Sequence, residues 1–265
     1  IRNTDIQDIC LSLTDVTTVN TTFNDSKIDM TSDSSLTVKN YLHVYVIDNK
    51  TSAPIQDAEI EVKDVNETGY EQVVYATPSY GGSNPTTGSD GFAKWIVVTD
   101  RIYYNGNTAT ENYTFVNVSK PGYEPAFVEV NMSASKTVVL PLTDIENPVA
   151  DAGVDQSVNE DVVVNFDGNG STDNSGLITY YNWSFGDGLF ENGTNVFPNH
   201  TYADLGTHIV TLNVSDAAGN WATDTCFVFV NNVAPTANAG GNKTGNEGVP
   251  ITFNGSASAD TPSDL

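Results

Sequence analysis

Apolar and polar residues alternate with a period of two along most of the chain, which is the pattern of strands buried on one face. The runs Val44–Ile47, Ile60–Lys63, Val138–Leu140 and His208–Val214 show it most clearly, and several are rich in β-branched residues. Gly, Pro, Asn and Asp bound these runs and indicate tight turns. No segment of about twelve residues carries a helical stripe. The pattern predicts an all-β fold of short strands.

An internal repeat provides one domain boundary. The segment that begins Pro148-Val-Ala-Asp-Ala-Gly returns 87 residues later as Pro235-Thr-Ala-Asn-Ala-Gly, and the match continues to Asp173 and Asp260. A unit of that length has the size of a small β-sandwich. The second copy ends after about 30 residues, too few to close a sandwich, so we expect a truncated repeat of a longer parent protein. The predicted parts are a β-rich lead-in at 1–40, β-sandwiches at 41–143 and 147–231, and the truncated repeat at 234–265.

The lead-in, residues 1–40, has two interpretations. Spaced apolar residues between Ile6 and Phe23 indicate short strands with Asn and Asp at the bends. They resemble the closing rungs of a right-handed β-helix. An extra strand pair leading into the next sandwich accounts for them equally well.

The sandwich at 147–231 carries the motif Trp183-Ser-Phe-Gly-Asp-Gly188, then His200-Thr-Tyr202 and the strand Gly206–Asp216. It resembles the polycystic kidney disease (PKD) domain family, which implies an Ig-like β-sandwich; Ser184 departs from that family, where an acidic residue is commoner. The alternation itself places Trp183 and Phe185 toward the core, with Tyr202 as a further core aromatic. The residues predicted to form the tight hairpin are Gly186, Asp187 and Gly188.

The sandwich at 41–143 carries Pro54-Ile-Gln-Asp-Ala58, Asp90-Gly-Phe-Ala93 and Lys120-Pro-Gly-Tyr123. These segments resemble the carboxypeptidase-regulatory-like, or transthyretin-like, sandwich found in many surface proteins. The insert 76–88, with three Gly and two Pro, predicts a long loop. The whole chain is therefore expected to consist of tandem Ig-like β-sandwich modules in series.

The charge of the chain excludes several classes of function. Ten basic residues stand against 34 acidic ones, and the formal net charge is −24. Nucleic-acid binders and basic membrane anchors both need positively charged patches. No run of about 18 apolar residues occurs, so no membrane span is predicted in this segment. The start at Ile1, without a signal-peptide pattern, indicates a mature product or an excerpt.

Asn, Thr and Ser supply most of the polarity, with 29, 31 and 20 residues. Random placement would give about six N-x-[ST] sequons, whereas the sequence contains 14. We interpret the excess as a surface dense in N-linked glycan, hence an extracellular chain. Thr-rich strands beside Asn-rich turns are the competing explanation. The sequon residues are Asn20, Asn24, Asn49, Asn66, Asn112, Asn117, Asn131, Asn169, Asn182, Asn192, Asn199, Asn213, Asn242 and Asn254.

The sequence contains no convincing catalytic constellation. The three histidines, His43, His200 and His208, lie outside zinc and nucleophile motifs, and we assign them structural roles. The acidic residues are spread over turns of small sandwiches, which seldom enclose the cleft that paired carboxylates need. Cys226 lies in an apolar strand and is expected to be an inert core thiol. The prediction is that this segment is not an enzyme.

Calcium is the one metal that the sequence supports, because one Gly-broken loop collects hard oxygen donors. Some PKD-like domains carry calcium near the equivalent of Ser171–Gly176. An Asx-rich turn that caps its own backbone is the alternative. The predicted ligands are Asp151, Ser171, Asp173 and Asn174.

These features together predict a non-enzymatic extracellular glycoprotein. Its modules would build a cell-surface layer, sheath or filament, or mediate adhesion, and the combination of modules resembles archaeal surface proteins. The expected partners are other copies of the chain or other cell-surface proteins and glycans. The alternative is an accessory region of a secreted hydrolase, acting as spacer or polymer binder. A row of exposed aromatics would favour it, and Trp95, Trp183 and Trp221 are the residues to examine.

Overall fold

The computed structural model describes residues 9–11, 15–20, 28–30, 34–104 and 108–264. Within these ranges the regular elements are strands and two short 3-10 segments, Pro78–Tyr80 and Pro262–Asp264. The predicted fold class, all-β with Ig-like sandwich modules, is confirmed. The chain divides into two compact units, Ile1–Ile145 and Glu146–Leu265. The described residues form no helix that is long and apolar enough to cross a membrane.

The described strands of the first unit are β1 (Ile9–Leu11), β2 (Asp15–Val19), β3 (Ile28–Met30), β4 (Ser35–Asp48), β5 (Glu59–Asn66), β6 (Glu71–Ala76), β7 (Phe92–Tyr104), β8 (Thr108–Ser119), β9 (Ala126–Val130) and β10 (Lys136–Leu142). All of these except β1 and β3 form one extended sheet with the strand order β10-β4-β7-β8-β5-β6, in which β2 also pairs with β4 and β9 with β8. Strand β4 runs parallel to β2 and β10, and the other pairs in this sheet are antiparallel.

The core of the first unit follows the alternation seen in the sequence. Every second residue of β4 is buried, including Leu42, Val44 and Val46, and these pack with Ile60 and Val62 of β5. Each such side chain contributes about 1.5–3 kcal/mol of hydrophobic free energy. The insert 76–88 runs between β6 and β7 with one 3-10 turn, which agrees with the predicted loop.

The lead-in contributes strands that pair in parallel. Strand β1 pairs with β3, and β2 lies along β4 with Asp15 opposite Ser35. Parallel stacking is the arrangement of successive β-helix rungs, while β2 also extends the sheet of the first sandwich. Strand β4 begins at Ser35, before the predicted boundary at residue 41. The apolar positions Ile6 and Phe23 lie outside the described residues.

The second unit has a five-stranded sheet in the order β11-β17-β16-β13-β14 and a two-stranded sheet, β12–β15, around one core. Among the described strands of this unit, only β11 and β17 pair in parallel. The strands are β11 (Gln156–Asn159), β12 (Val163–Asn165), β13 (Ile178–Ser184), β14 (Phe190–Gly193), β15 (Asn199–Thr201), β16 (Gly206–Asp216) and β17 (Trp221–Asn231). From 232 to 264 the backbone makes turns, the bridge Thr236–Ala259 and the 3-10 segment Pro262–Asp264.

Candidate functional site

The aromatic motif of the second unit lies in its core. Trp183 is fully buried, Phe185 is 3% exposed and Tyr202 is 2% exposed. The Tyr202 hydroxyl donates to the Phe185 carbonyl at 2.9 Å, and its burial raises the pKa of Tyr202 well above its ordinary value. Burial likewise raises the pKa of Cys226 to about 11, so this thiol stays protonated at neutral pH. These side chains hold the sandwich together and are closed to a ligand.

The turn after β13 brings Asp187 against His200. Gly186 and Gly188 have φ of +84° and +95°, and a Cβ on Gly186 would lie 2.6 Å from the Ile209 carbonyl oxygen. Asp187 Oδ2 lies 2.6 Å from His200 Nε2, and the Leu189 N–H donates to Asp187 Oδ1. Burial alone would raise the pKa of Asp187, but these bonds and the nearby imidazole outweigh it and hold that pKa below its usual value.

His200 completes the packing of this turn. Its ring stacks on Phe185 with centroids 4.2 Å apart and meets the Tyr202 ring edge-on. His208 stacks on the Tyr202 ring at 4.3 Å. In the first unit His43 Nδ1 accepts the Trp95 backbone N–H at 3.3 Å. Each histidine therefore has a packing partner, and none of the three stands beside a nucleophile among the contacts described.

Two of the predicted calcium ligands are occupied in capping the backbone. Ser171 Oγ accepts the Asp151 N–H at 3.1 Å, and Asp151 Oδ1 accepts the Gly153 N–H at 2.9 Å. These bonds are those of the Asx-rich turn that stood as the alternative. The structure thus brings Asp151 and Ser171 together but gives both of them local hydrogen-bonding roles.

Asp173 is in a different situation. Its Oδ2 accepts the Ser175 N–H at 2.8 Å and also the Ser175 hydroxyl, whereas its Oδ1 is buried without a hydrogen-bond partner. A carboxylate oxygen of Asp216 lies within 4.8 Å. Two carboxylates at that separation repel each other unless a cation or proton lies between them. Carboxylate oxygens are the ligands that calcium prefers, and Asp216, which the sequence did not predict, lies beside Asp173 although its own oxygens accept hydrogen bonds from Gly219 and Asn220.

Asp216 was missed because its strand pattern gives a simpler explanation. It is 1% exposed, ends β16, and accepts the backbone N–H groups of Gly219 and Asn220 at 2.6 and 2.8 Å. A hairpin of the form Asp-x-x-Gly-Asn predicts this capping role. Its proximity to Asp173 depends on the pairing of β13 with β16, which a single sequence does not specify.

The sequon asparagines fall into two groups of different accessibility. Half-buried ones include Asn117, whose Nδ2 donates to Glu61 Oε2 at 2.9 Å, and Asn112, whose Oδ1 is buried without a partner. The others in this group are Asn20, Asn66, Asn182 and Asn213. Asn24 lies outside the described residues. The exposed sequon residues are Asn49, Asn131, Asn169, Asn192, Asn199, Asn242 and Asn254.

Three sequon asparagines meet on the outer face of the second unit. Asn182 on β13 pairs directly with Asn192 on β14 and with Asn213 on β16. A cavity of about 320 Å³ is lined by these amides together with Ser184 and Phe190. Neighbouring strands lie only about 4.8 Å apart, so sugar chains rooted on directly opposed residues would compete for one space. The three sequons can be expected to carry one glycan between them at most.

The three tryptophans differ in exposure. Trp183 is buried, whereas Trp95 is 66% and Trp221 is 50% exposed. Trp221 meets Tyr180 edge-on with centroids 5.7 Å apart. Trp95 and Trp221 belong to different units, and each of their described ring contacts is edge-on. The described residues therefore show no flat row of stacked aromatics around either tryptophan.

Comparison with known proteins identifies part of the second unit. The family model of the PKD domain matches residues 145–230, so this stretch is a PKD domain. Such domains occur in secreted or surface proteins and are typically non-catalytic.

Three solved structures illustrate this similarity. The PKD1 domain of the Vibrio cholerae metalloprotease PrtV is 29% identical over 32% of this chain and 98% of its own, with a TM-score of 0.28. The PKD1 domain of Vibrio anguillarum Epp is 27% identical over 32% and 94%, with the same TM-score. A structure from work on carbohydrate-binding modules of the β-sandwich superfamily is 32% identical over 32% of this chain, with a TM-score of 0.30. The chain spans only 34% of that last structure.

Proposed function

With a PKD domain at residues 145–230 as the premise, we propose that the chain is a non-enzymatic structural or adhesive segment of an extracellular glycoprotein, part of a cell-surface layer, sheath or filament. The observation that carries the proposal is that five of the seven exposed sequon asparagines lie on two modules that each have their own packed core. Independent cores suit load-bearing units, and glycan on their surfaces keeps such units soluble and resistant to proteases.

The chemistry of the described surface agrees with this assignment. At a net charge of −24, bare copies of the chain repel each other at close range. Neutral N-linked sugar would hold their charged surfaces apart. The chain's expected partners remain other copies of itself or other surface proteins and glycans. An archaeal source is also part of the proposal, and only the resemblance of the module combination supports it.

Glycopeptide mass spectrometry of the native protein tests the glycan half of the proposal. We expect sugar on most of the exposed group, such as Asn49, Asn131 and Asn199, and none on Asn117. Among Asn182, Asn192 and Asn213, no single molecule should carry two glycans, and Asn192 is the preferred acceptor because it is the exposed member. Bare asparagines throughout the exposed group would refute the glycoprotein assignment.

Electron microscopy of the native cell surface tests the structural half. Repeating copies in contact would support a layer, sheath or filament. A lone chain continuous with a folded catalytic domain would instead establish the alternative, an accessory region of a secreted hydrolase.

We also propose that calcium binds at Asp173, with Asp216 as a second carboxylate. The support is the buried, unpartnered Asp173 Oδ1 beside the Asp216 carboxylate. Calcium at about 100 times its Kd would stabilise the second unit by about 2.7 kcal/mol. The melting temperature with calcium should be higher than that with a chelator for the wild type and for Asp151→Asn. For Asp173→Asn the two melting temperatures should be equal. No shift at millimolar calcium would refute this site.

A further inference from the structure

Strand β7 contains a bulge that places a tryptophan in an unfavourable backbone conformation. Leu42 pairs with Ile96 and Val44 with Ala93, so Lys94 and Trp95 together stand opposite the single residue His43. Such a two-against-one arrangement is a β-bulge, and bulges often redirect a side chain. Trp95 has φ of +63°, a left-handed value that Gly adopts freely and bulky residues rarely do. Strain of this kind concentrates at functional sites.

The surroundings hold the bulge in place while leaving the indole open. His43 Nδ1 accepts the Trp95 N–H, which leaves the imidazole proton on Nε2 as a donor when the ring is neutral. Burial and then the charge of Lys94 lower the pKa of His43, which favours that neutral form. The Tyr41 and His43 rings meet the indole at 88° and 77°, with centroids 5.3 and 4.8 Å away. Neither ring lies flat on the indole, and Trp95 remains 66% exposed.

A cavity of about 470 Å³ lies beside this tryptophan. Its lining joins the rings of Tyr75, Phe92 and Trp95 with three polar side chains, Asn84, Thr86 and Lys94. The volume is in the range of small-molecule sites, and the mixture of aromatic surface with a few polar groups is typical of them.

The polar groups in the lining show what kind of occupant fits. Asn84 Oδ1 accepts the Ala76 N–H at 3.3 Å, and its Nδ2 has no partner among the described residues. Lys94 Nζ lies 2.6 Å from Asp90 Oδ2 and 4.6 Å above the Phe92 ring, so its charge is already balanced. Thr86 Oγ1 already donates to Asp57 Oδ1 at 3.3 Å. An aliphatic occupant would therefore bury the Asn84 Nδ2 donor without a partner, which is costly.

The charge of the chain narrows the occupant further. At a net charge of −24 the protein repels polyanions such as nucleic acids and acidic polysaccharides, and Lys94 is not available to attract them. A neutral sugar avoids that repulsion. One face of a pyranose presents C–H groups to an aromatic ring, and its edge presents hydroxyls to amide, imidazole and hydroxyl partners.

We propose that the Trp95 bulge and the adjoining cavity bind a neutral, hexose-rich polysaccharide. The Trp95 indole would stack on one sugar ring, and Asn84, Thr86 and His43 would bond its hydroxyls. The site lies in the first unit and depends neither on glycosylation of the chain nor on its assembly into a layer. Such a sugar site would also allow the chain to adhere to a surface polymer.

Titration calorimetry of the full chain with neutral hexasaccharides of glucose, mannose, galactose and N-acetylglucosamine tests this site, with an alginate hexasaccharide as the anionic control. At least one neutral sugar should bind and alginate should not. Trp95→Ala should weaken that binding at least tenfold. Trp221→Ala, which removes the other exposed tryptophan, should leave it unchanged.

A second variant separates a binding role from a structural one. Trp95→Gly removes the backbone strain, so its melting temperature should equal or exceed that of the wild type while sugar binding is lost. Tight binding by Trp95→Gly, or no binding of any neutral sugar at millimolar concentration, would overturn the proposal. Binding of alginate in preference to neutral sugars would also overturn it.

Discussion

The segment Pro148–Asp173 and its repeat Pro235–Asp260 share local structure but differ in burial. In the first copy Ser171 Oγ accepts the Asp151 N–H at 3.1 Å; in the second, Ser258 Oγ accepts the Asn238 N–H at 2.9 Å. The same turn follows in each, with Gly153 at φ +80° and Gly240 at φ +79°. The backbone bridges Val149–Thr172 and Thr236–Ala259 also correspond.

The difference lies in what covers the apolar residues. Phe166 is 2% exposed and Val164 1%, whereas their counterparts Phe253 and Ile251 are 72% and 43% exposed. Strands β13, β16 and β17 supply the core around Phe166, and the described residues provide no equivalent strands around Phe253. Local hydrogen bonds therefore form without a core, while burial depends on strands distant in the sequence.

The largest expected effect comes from deleting the phenylalanine in each copy. Phe166→Ala should destabilise the second unit by about 3–5 kcal/mol, because it removes a buried ring and leaves a cavity. Phe253→Ala should change stability by less than about 0.5 kcal/mol, as expected for an exposed side chain. Urea denaturation of the full chain, followed by tryptophan fluorescence, measures both. Equal losses would show that the second copy is packed as the first is.

A smaller effect is expected from adding a methyl group to paired glycines. A Cβ on Gly168 would lie 3.0 Å from Trp183 Cζ2 and 3.3 Å from Leu212 Cδ2, whereas on Gly255 it meets nothing closer than 3.7 Å. Gly168→Ala should cost about 1–3 kcal/mol through overpacking. Gly255→Ala should be neutral or slightly stabilising, because its φ is compatible with alanine. The midpoints of urea unfolding distinguish these outcomes, and a neutral Gly168→Ala would contradict the packing described.

The turn glycines should behave alike, and this tests the shared local structure. Gly153 and Gly240 both have a left-handed φ, so alanine at either position should cost about 1–2 kcal/mol in the local conformation. In Gly153→Ala this conformational cost should lower the free energy of unfolding of the second unit. In Gly240→Ala it should appear as faster amide hydrogen exchange at Gly240 and Asn238, with the core unaffected. Unchanged exchange there would mean that the second turn is not formed.

The smallest effect concerns Asp187, which lies beyond the repeated segment. Because its pKa is lowered in the folded state, its contribution is present above the unfolded pKa and is lost as the pH falls through the folded value. Asp187→Asn should reduce stability by less than about 1 kcal/mol at neutral pH, since the pair is partly solvated. The difference from wild type should shrink below about pH 4. Asp204→Asn is the matched control, and a difference that persists at pH 2 would contradict the assignment.

The sequence predicted the fold more fully than the sites. The alternation around Trp183 specified a buried face, and the PKD motif specified the module, because both depend on neighbouring residues. The calcium prediction named Asp173 but not Asp216, since their approach depends on strand pairing. The cross-strand pairing of Asn182 with Asn192 and Asn213, and the bulge at Trp95, left no readable signal in the linear pattern.

By itself the sequence determined the strands, the Asx and glycine turns and the number of sequons, because each follows from residues a few positions apart. Tertiary structure decided which side chains are covered, which asparagines stand side by side and which tryptophan faces solvent. Trp183 and Trp95 both lie within β-strands, yet one is fully buried and the other is 66% exposed. Burial and proximity require partners far along the chain, and those partners are fixed only when the strands have paired.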